Sequence, residues 1–197
     1  MARVDEFFTT AEAAELAEAQ PGAIEKAIED GILEVRRAPA PMVGARPRRL
    51  LSAEGIYYVA FLKRCDLHFS KEHKQRLWTC FKETPPGRLL TAKWHLSPGI
   101  EIRPGELLAA VRERVTWYTR ARNRWIQLNP EIMGGTPVVK GTRISVYSIH
   151  GRISHGDTVE DVLEDNADLP RDAIEAALAY ARANPLVGRP GGRPWQA

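Results

Sequence analysis

The fold of the C-terminal third is decided by residues 128–146, which read LNPEIMGGTPVVKGTRISV. Asn129-Pro130 and Gly134-Gly135 each predict a turn, because proline fixes its own φ and glycine adopts the positive φ that other residues resist. The β-branched runs Val138-Val139 and Ile144-Ser145-Val146 are separated by a tight-turn signal. The stretch therefore predicts a short β hairpin.

Three helix-like segments with short polar joints follow the predicted hairpin. They are Ser148 to Ser154, Thr158 to Asp165 and Pro170 to Ala183. Their apolar residues fall at helical spacing, so the segments predict three helices. The tri-helical unit they would form resembles a homeodomain-like fold. The residues predicted to face outward are mostly acidic. Their negative charge suits a protein partner better than nucleic acid. They are Glu160, Asp161, Glu164, Asp165, Asp172 and Glu175.

The pattern Asn-Pro-x-Ile-x-x-Gly-x-Pro-x-x-x-Gly-Thr-Arg-Ile-x-Val, followed by three helices, resembles one family closely. That family is the short domain of formerly unknown function found in VapB-class antitoxins of bacterial toxin–antitoxin pairs. The resemblance covers residues 125–183 and implies an antitoxin whose partner is a PIN-type ribonuclease toxin. Arg143, within the motif, can hold a carboxylate bidentately, either in the same fold or across a dimer. The interpretation we favour is a structural arginine that ties the hairpin to the helices.

Residues 184–197 form a Pro/Gly/Arg-rich segment that is predicted to be extended. The resemblance implies that such a C-terminal segment wraps the toxin, whose acidic pocket binds magnesium. The hypothesis is that Arg189 or Arg193 reaches those carboxylates; the alternative is a tail without a partner. The apolar side chains that could anchor the segment are Leu186, Val187 and Trp195.

Residues 1–64 predict a winged helix-turn-helix. Thr9 or Thr10 can cap a helix that runs to Glu18, and Ala23 to Asp30 predicts a second helix. Two strands, Ile32–Arg37 and Arg48–Leu51, and a third helix from Ala53 to Arg64 complete the unit. This order, with the opening Phe8-Thr9-Thr10-Ala11-Glu12-Ala13-Ala14, resembles the N-terminal modules of MerR and excisionase-type DNA binders.

The predicted DNA contacts lie on the hairpin more than on the second helix. That helix offers only Lys26 among acidic neighbours, and base edges are usually met by Arg, Lys, Asn or Gln. Clustered arginine on a hairpin suits phosphate binding, although a solvated basic hairpin with no ligand is the alternative. The predicted contact residues are Lys26, Arg36, Arg37, Arg46, Arg48, Arg49, Lys63 and Arg64.

Residues 65–124 are predicted to be a connector with a long basic helix. Ser70 to Lys82 predicts one helix and Gly105 to Asn123 another, with strands predicted at Leu89–Leu96 and Gly99–Ile102. Five arginines on or just beyond the second helix predict a solvated basic face, with a second nucleic-acid surface as the alternative. These are Arg112, Arg114, Arg120, Arg122 and Arg124.

Charge is distributed unevenly along the chain. Residues 71–143 carry 14 Lys/Arg against 6 Asp/Glu, whereas residues 144–183 carry 3 against 8. This asymmetry predicts different partners for the two regions. The N-terminus has no signal-peptide core and the chain has no apolar run long enough for a membrane helix, so we expect a cytoplasmic protein.

No metal site or catalytic set is predicted. Cys65, His68, His73 and Cys80 are too loosely spaced for a structural zinc site, and cysteines packed on helices explain them better. His150, Ser154, His155 and Asp157 are assigned to helix ends rather than to catalysis.

The sequence therefore predicts a mainly α protein with small β hairpins: an N-terminal winged helix-turn-helix and a C-terminal tri-helical unit. The predicted function is a non-enzymatic antitoxin, without a cofactor, that neutralises its toxin and represses its own operon as a homodimer. The alternative is a stand-alone dimeric transcriptional regulator.

Overall fold

The computed structural model describes residues 7–38 and 48–186. The chain divides into two compact units, Met1–Arg124 (unit 1) and Trp125–Ala197 (unit 2). The described residues are mainly helical with small antiparallel sheets, as the sequence predicts at this level. None of the helices in these residues has both the length and the apolar character needed to cross a membrane.

Unit 1 begins with a three-stranded antiparallel sheet and three helices. In chain order the elements are β1 (Phe7–Thr9), α1 (Thr10–Ala17), α2 (Pro21–Glu29), β2 (Arg36–Ala38), β3 (Arg48–Ser52) and α3 (Ala53–Arg64). The strand order is β1-β3-β2, so β3 is central. The sequence analysis missed β1, whose Phe8 is buried opposite Leu51.

Local signals explain where α1 and α2 begin. Thr9 and Glu12 form a capping box: the Thr9 side chain accepts from the Glu12 backbone N–H, and the Glu12 carboxylate accepts from that of Thr9. Pro21 opens α2 at its first position, where a missing N–H costs nothing. The second helix therefore begins two residues before the predicted Ala23.

The remainder of unit 1 contains α4 (Lys71–Glu83), a 3₁₀ helix (Pro86–Thr91), β4 (Trp94–Ser97), β5 (Ile100–Ile102) and α5 (Gly105–Trp125). The strand predicted over Leu89–Leu96 is wrong in its first half, which is the 3₁₀ helix. Pro85 precedes this helix and Pro86 opens it, and Leu89 packs inward from its second turn.

An aromatic cluster joins α3, α4 and β4 into one core. The Phe81 ring lies edge-on to the Trp94 ring at a centroid distance of 4.7 Å, and to the Tyr58 ring at 6.0 Å. Rings in this geometry attract one another beyond the area they bury. Residues 65–105 therefore contribute to the core of unit 1 rather than serving only as a connector.

Unit 2 contains a two-stranded sheet and three helices: β6 (Ile126–Gln127), β7 (Val138–Val139), α6 (Val146–Ser154), α7 (Val159–Asp165) and α8 (Arg171–Ala183). The three predicted helices are confirmed. The predicted hairpin is wrong in its pairing, because β7 pairs with β6 and meets the second predicted strand only through a bridge from Val138 to Ser145. Ser145 instead caps α6 by accepting from the Ser148 N–H, which turns Val146 into a helical residue.

Helix α8 is the most buried helix of unit 2. Nine of its residues are buried and five of these are alanine between Ala173 and Ala181, with Ala183 ending the helix. The small side chains allow close approach of neighbouring backbones, so α8 packs against α6, α7 and both short strands.

Candidate functional site

The first candidate site is the basic wing, which we define as Arg36, Arg37, Arg48 and Arg49 on β2 and β3. Arg37 lies directly opposite Arg49 in the antiparallel register. Opposed side chains on adjacent strands have Cβ atoms about 4.5–5.5 Å apart, and like charges in this position are destabilising. The register therefore places two arginines at facing positions of the exposed strand pair.

The two faces of the basic wing contact different groups of unit 1. Arg49 alternates onto the same face as the buried Leu51, and its Nη2 lies 2.5 Å from the Glu25 carboxylate of α2. Arg37 shares that face, so the opposed arginines lie on the side of the sheet that carries α2. On the other face, the Arg36 guanidinium stacks over the Phe7 ring at 5.3 Å.

Two further predicted DNA contacts have different positions. Lys26 is exposed on α2, between Glu25 and Glu29. Arg46 lies outside the described residues. Lys26 is thus available on the surface beside the wing, although two of its helix neighbours are acidic.

Lys63 and Arg64, also predicted as DNA contacts, lie at the end of α3 and bond to the end of α1. The Lys63 ammonium donates to the Glu18 carbonyl, and Arg64 donates to the Ala17 carbonyl and pairs with the Glu18 carboxylate at 2.6 Å. Glu18 ends α1 in the left-handed region, at φ 53°. Both cations satisfy the carbonyl end of α1, where positive charge is stabilising.

The pKa of Glu18 is lowered, first by its hydrogen bond from Arg114 and then by the charges of Arg114, Arg64 and Lys63. A carboxyl group with a lowered folded pKa contributes stability above its ordinary pKa, and loses it as pH falls through the folded value. Arg114 therefore bonds to the end of α1 twice, through its ion pair with Glu18 and through its hydrogen bond to the Leu16 carbonyl.

A buried cluster around Glu12 was missed at the sequence level. Glu12 is 3% exposed, and its carboxylate accepts from the Tyr118 hydroxyl at 2.7 Å and from Arg122 at 3.0 Å. The Arg122 guanidinium also stacks over the Phe8 ring at 5.0 Å. The prediction of a solvated basic face on α5 is therefore wrong for Arg122 and Arg114. The available signal was Tyr118 and Arg122, four residues apart on a helix that begins with an apolar stripe.

The second candidate site, the tail anchor, lies in unit 2 and comprises Tyr147 and Asn184. The Tyr147 hydroxyl donates to the Asn184 carbonyl at 3.0 Å. This bond holds the end of α8 against the first turn of α6. Tyr147 itself lies four residues after Arg143 in the chain. Leu186, just beyond the anchor, is 68% exposed. Four of the predicted partner contacts, Val187, Arg189, Arg193 and Trp195, lie outside the described residues.

Arg143 is exposed, and in the described part of the chain it makes no hydrogen bond or ion pair. This placement does not fit the favoured interpretation of a structural arginine that ties the hairpin to the helices. An exposed guanidinium remains available to a carboxylate of another molecule.

The acidic face of unit 2 is partly neutralised within the unit. Arg152 pairs with Asp157 at 2.5 Å and with Asp165 at 2.8 Å, and Arg171 pairs with Glu160. Asp161 caps α7 together with Thr158. Glu164, Asp172 and Glu175 are exposed, so the negative surface is smaller than the sequence suggests.

Among the described residues, no group of three or more His, Cys, Asp or Glu side chains could hold a metal ion. Burial raises the pKa of the Cys65 and Cys80 thiols. The Ser154 hydroxyl donates to the His150 carbonyl, and the His155 ring bonds the Gly151 carbonyl, consistent with their assignment to a helix end.

Comparison with known proteins gives one family match, which lies in unit 2. Residues 126–181 match the family described as "Protein of unknown function (DUF433)". The uncharacterized protein y4eO of Sinorhizobium fredii is 44% identical over 82 residues, covering 42% of this chain, and the chain spans only 32% of that relative's length. The crystal structure of Rv2018 from Mycobacterium tuberculosis is 18% identical and covers 87% of this chain and 96% of its own, with a TM-score of 0.37.

Proposed function

We propose that the chain is an antitoxin that represses its own operon through unit 1 and neutralises a PIN-type ribonuclease toxin through unit 2. The observation that carries the DNA-binding half is the opposed pair Arg37 and Arg49 on an exposed hairpin. We further propose that residues 1–64 act as a winged helix-turn-helix, with the basic wing on phosphates and α2 beside it.

The electrostatic argument concerns the anion that the basic wing would receive. Arg37 and Arg49 are like charges at facing positions, of which Glu25 pairs with Arg49, and a phosphate beside them would accept charge-assisted hydrogen bonds from both. Arg49 is already oriented by Glu25, so less side-chain freedom is lost on binding. Duplex DNA supplies phosphates at regular spacing, which suits a hairpin whose arginines lie on both faces.

Arg37→Thr is expected to weaken DNA binding while leaving the fold intact or more stable. Threonine suits a strand, and its introduction removes the repulsion from Arg49, so we expect unfolding free energy to rise by about 0.2–1 kcal/mol. The slope of log affinity against log salt for duplex DNA should fall by about one unit, because one phosphate contact is lost. Fluorescence anisotropy with the chain's own promoter fragment, titrated at several salt concentrations, measures both affinity and slope.

The matched control is Arg88→Thr, which removes an exposed arginine of unit 1 outside the sheet. This control should leave the salt slope unchanged. Equal losses in the two variants would mean that net charge, and not the opposed pair, determines binding. An unchanged slope in Arg37→Thr would contradict the proposed contact.

The toxin-binding half rests on the motif resemblance over residues 125–183 together with the tail anchor. The hydrogen bond between Tyr147 and Asn184 fixes the point where the tail begins, four residues along the chain from Arg143 at its Tyr147 end. We infer that the exposed Arg143 guanidinium and the exposed Leu186 lie at the same end of unit 2. A partner that binds the tail would meet Arg143 as well. An acidic magnesium pocket is complementary to the arginines at 143, 189 and 193.

Removal of residues 187–197 is expected to abolish capture of the toxin without unfolding unit 2. The truncation leaves α8 and its anchor to Tyr147 complete. The measurement is a pull-down of the tagged chain from native lysate with mass spectrometry, comparing the full chain, the truncation and Arg143→Ala. A stoichiometric ribonuclease that remains with the truncated chain would refute the role of the tail.

The alternative proposal is a stand-alone dimeric transcriptional regulator, in which unit 2 serves only self-association. The same pull-down discriminates the two functions. Capture of promoter DNA by a preparation that never retains a ribonuclease would favour the regulator.

A further inference from the structure

Unit 1 contains a groove of about 510 Å³ that is lined by residues of its three-stranded sheet, of α3 and of α4. This volume lies within the range of small-molecule sites. The lining offers two aromatic rings, two cations and two carboxylates, which belong to Phe7, Trp78, Arg36, Lys82, Glu34 and Glu54. What the groove can bind therefore depends on which of these four charges are already paired within the protein.

One cation and one carboxylate of the groove neutralise each other. The Lys82 ammonium lies 2.6 Å from the Glu34 carboxylate, and it also lies over the Trp78 ring at 5.6 Å from the centroid. This ion pair connects α4 to the segment that precedes β2. It forms a wall of the groove and leaves neither charge available to a ligand.

The other cation and the other carboxylate have no hydrogen bond or ion pair in residues 7–38 and 48–186. The exposed Arg36 guanidinium stacks over the Phe7 ring at 5.3 Å, which leaves its N–H donors uncommitted. Glu54 is half-buried in the first turn of α3. A half-buried carboxylate has lost part of its hydration, and a cation with N–H donors would compensate for that loss.

The sheet register brings the two uncommitted charges to the same part of the groove. Phe7 lies directly opposite Ser52, so their side chains point to one face of the sheet. Arg36 lies opposite Leu50, two residues before Ser52, and therefore shares that face. Ser52 is the N-cap of α3, and Glu54 follows it in the first turn. A free guanidinium and a free carboxylate thus border the Phe7 ring.

We propose that this groove binds a free amino acid with an apolar side chain. The α-carboxylate accepts hydrogen bonds from the Arg36 guanidinium, and the α-ammonium pairs with the Glu54 carboxylate. The apolar side chain lies against Phe7 and Val35, which are both half-buried. The Ser52 hydroxyl, which makes no capping bond to α3, is a further group for the polar end of the ligand.

The proposal is independent of toxin and DNA binding, because it rests only on the groove of unit 1. Arg36 belongs also to the basic wing, so an amino acid and a phosphate would compete for its guanidinium. The test is therefore made without DNA. Its failure would leave the proposed DNA contacts untouched, and their failure would leave this site untouched.

The test compares L-phenylalanine with two analogues that each lack one charge: hydrocinnamate has no ammonium and phenethylamine has no carboxylate. Each is added to the full chain at neutral pH and followed by ¹H–¹⁵N NMR. L-phenylalanine should bind about fivefold more tightly than either analogue, the ratio that corresponds to one partly exposed ion pair. The amide signals that shift should include those of Val35 and Ser52, which line the groove.

Two substitutions assign each preference to one side chain. In Glu54→Gln, L-phenylalanine should lose its preference over hydrocinnamate and keep its preference over phenethylamine. Arg36→Gln should have the opposite effect, because it removes the partner of the carboxylate. The matched controls Glu83→Gln and Arg88→Gln remove exposed charges of unit 1 outside the lining and should keep both preferences.

Three results would overturn the proposal. The first is equal affinity of the three probes for the unaltered chain, or no binding of L-phenylalanine. The second is the same loss of preference in Glu54→Gln and Glu83→Gln, because net charge would then determine binding. The third is binding without shifts at Val35 and Ser52, which would place the amino acid outside the groove.

Discussion

Replacing Glu12 with alanine is expected to lower the free energy of unfolding of unit 1 by about 3–5 kcal/mol, the usual loss when one partner of a buried ion pair is removed. The mostly buried Arg122 guanidinium would lose its ion pair with Glu12, and the Tyr118 hydroxyl would lose its hydrogen bond to the Glu12 carboxylate. The capping box at the start of α1 would also be lost. Urea denaturation followed by tryptophan fluorescence measures the change, because Trp78, Trp94 and Trp117 all lie in unit 1.

Two variants separate the buried charge from general effects on α1. Glu15→Ala removes an exposed carboxylate from the same helix and should change stability by less than about 0.5 kcal/mol. In Glu12→Ala/Arg122→Met the guanidinium that has lost the Glu12 carboxylate is absent while an unbranched side chain over Phe8 is kept, so the double variant should be more stable than Glu12→Ala. A loss below about 1 kcal/mol in Glu12→Ala would mean that the ion pair is hydrated in solution.

Gly105→Ala is expected to destabilise unit 1 by about 3 kcal/mol, although alanine is the better helix former. A Cβ at Gly105, the first residue of α5, would overlap the carbonyl oxygen of Leu90 and lie 2.9 Å from its carbonyl carbon. Both groups are backbone, so relief requires α5 to move away from the 3₁₀ helix. The same denaturation experiment measures this effect.

Gly22→Ala is the matched control for this substitution. Gly22 lies in the first turn of α2, and a Cβ added there meets no atom within 4 Å. The control should therefore be neutral or more stable by up to about 1 kcal/mol. Equal effects of the two substitutions would show that the contact between Gly105 and Leu90 is absent in solution.

Elements with local signals could be predicted from the sequence. Thr9, Pro21 and Ser145 mark helix starts through caps or a fixed φ, and the prediction placed each corresponding helix within a few residues. The hairpin in unit 2 was mispredicted because one of these helix-start signals, the Ser145 cap, was read as part of a strand. Ile144 to Val146 has strand propensity, but the Ser145 cap commits Val146 to α6, and Ile126-Gln127 takes the pairing with β7.

The candidate site was predictable only in part, because charge in a sequence does not reveal which partner it will meet. In the sequence, Lys63 and Arg64 form a basic pair like Arg48 and Arg49. In the structure they instead bond to Ala17 and Glu18 at the end of α1, more than forty residues earlier in the chain. Arg122 was assigned to solvent because its carboxylate lies 110 residues away.

The contacts of Glu12 with Tyr118 and Arg122 join positions separated by 106 and 110 residues. During synthesis, the ribosome releases α1 through α3 well before it releases α5. The Glu12 carboxylate must stay hydrated throughout that interval, so the first helix cannot complete its packing until α5 arrives. At a translation rate of about 5–20 residues per second, this delay lasts several seconds. Folding of unit 1 is consequently a late, long-range event, and an isolated N-terminal fragment would retain the helical signals of this region without the residues that neutralise its buried charge.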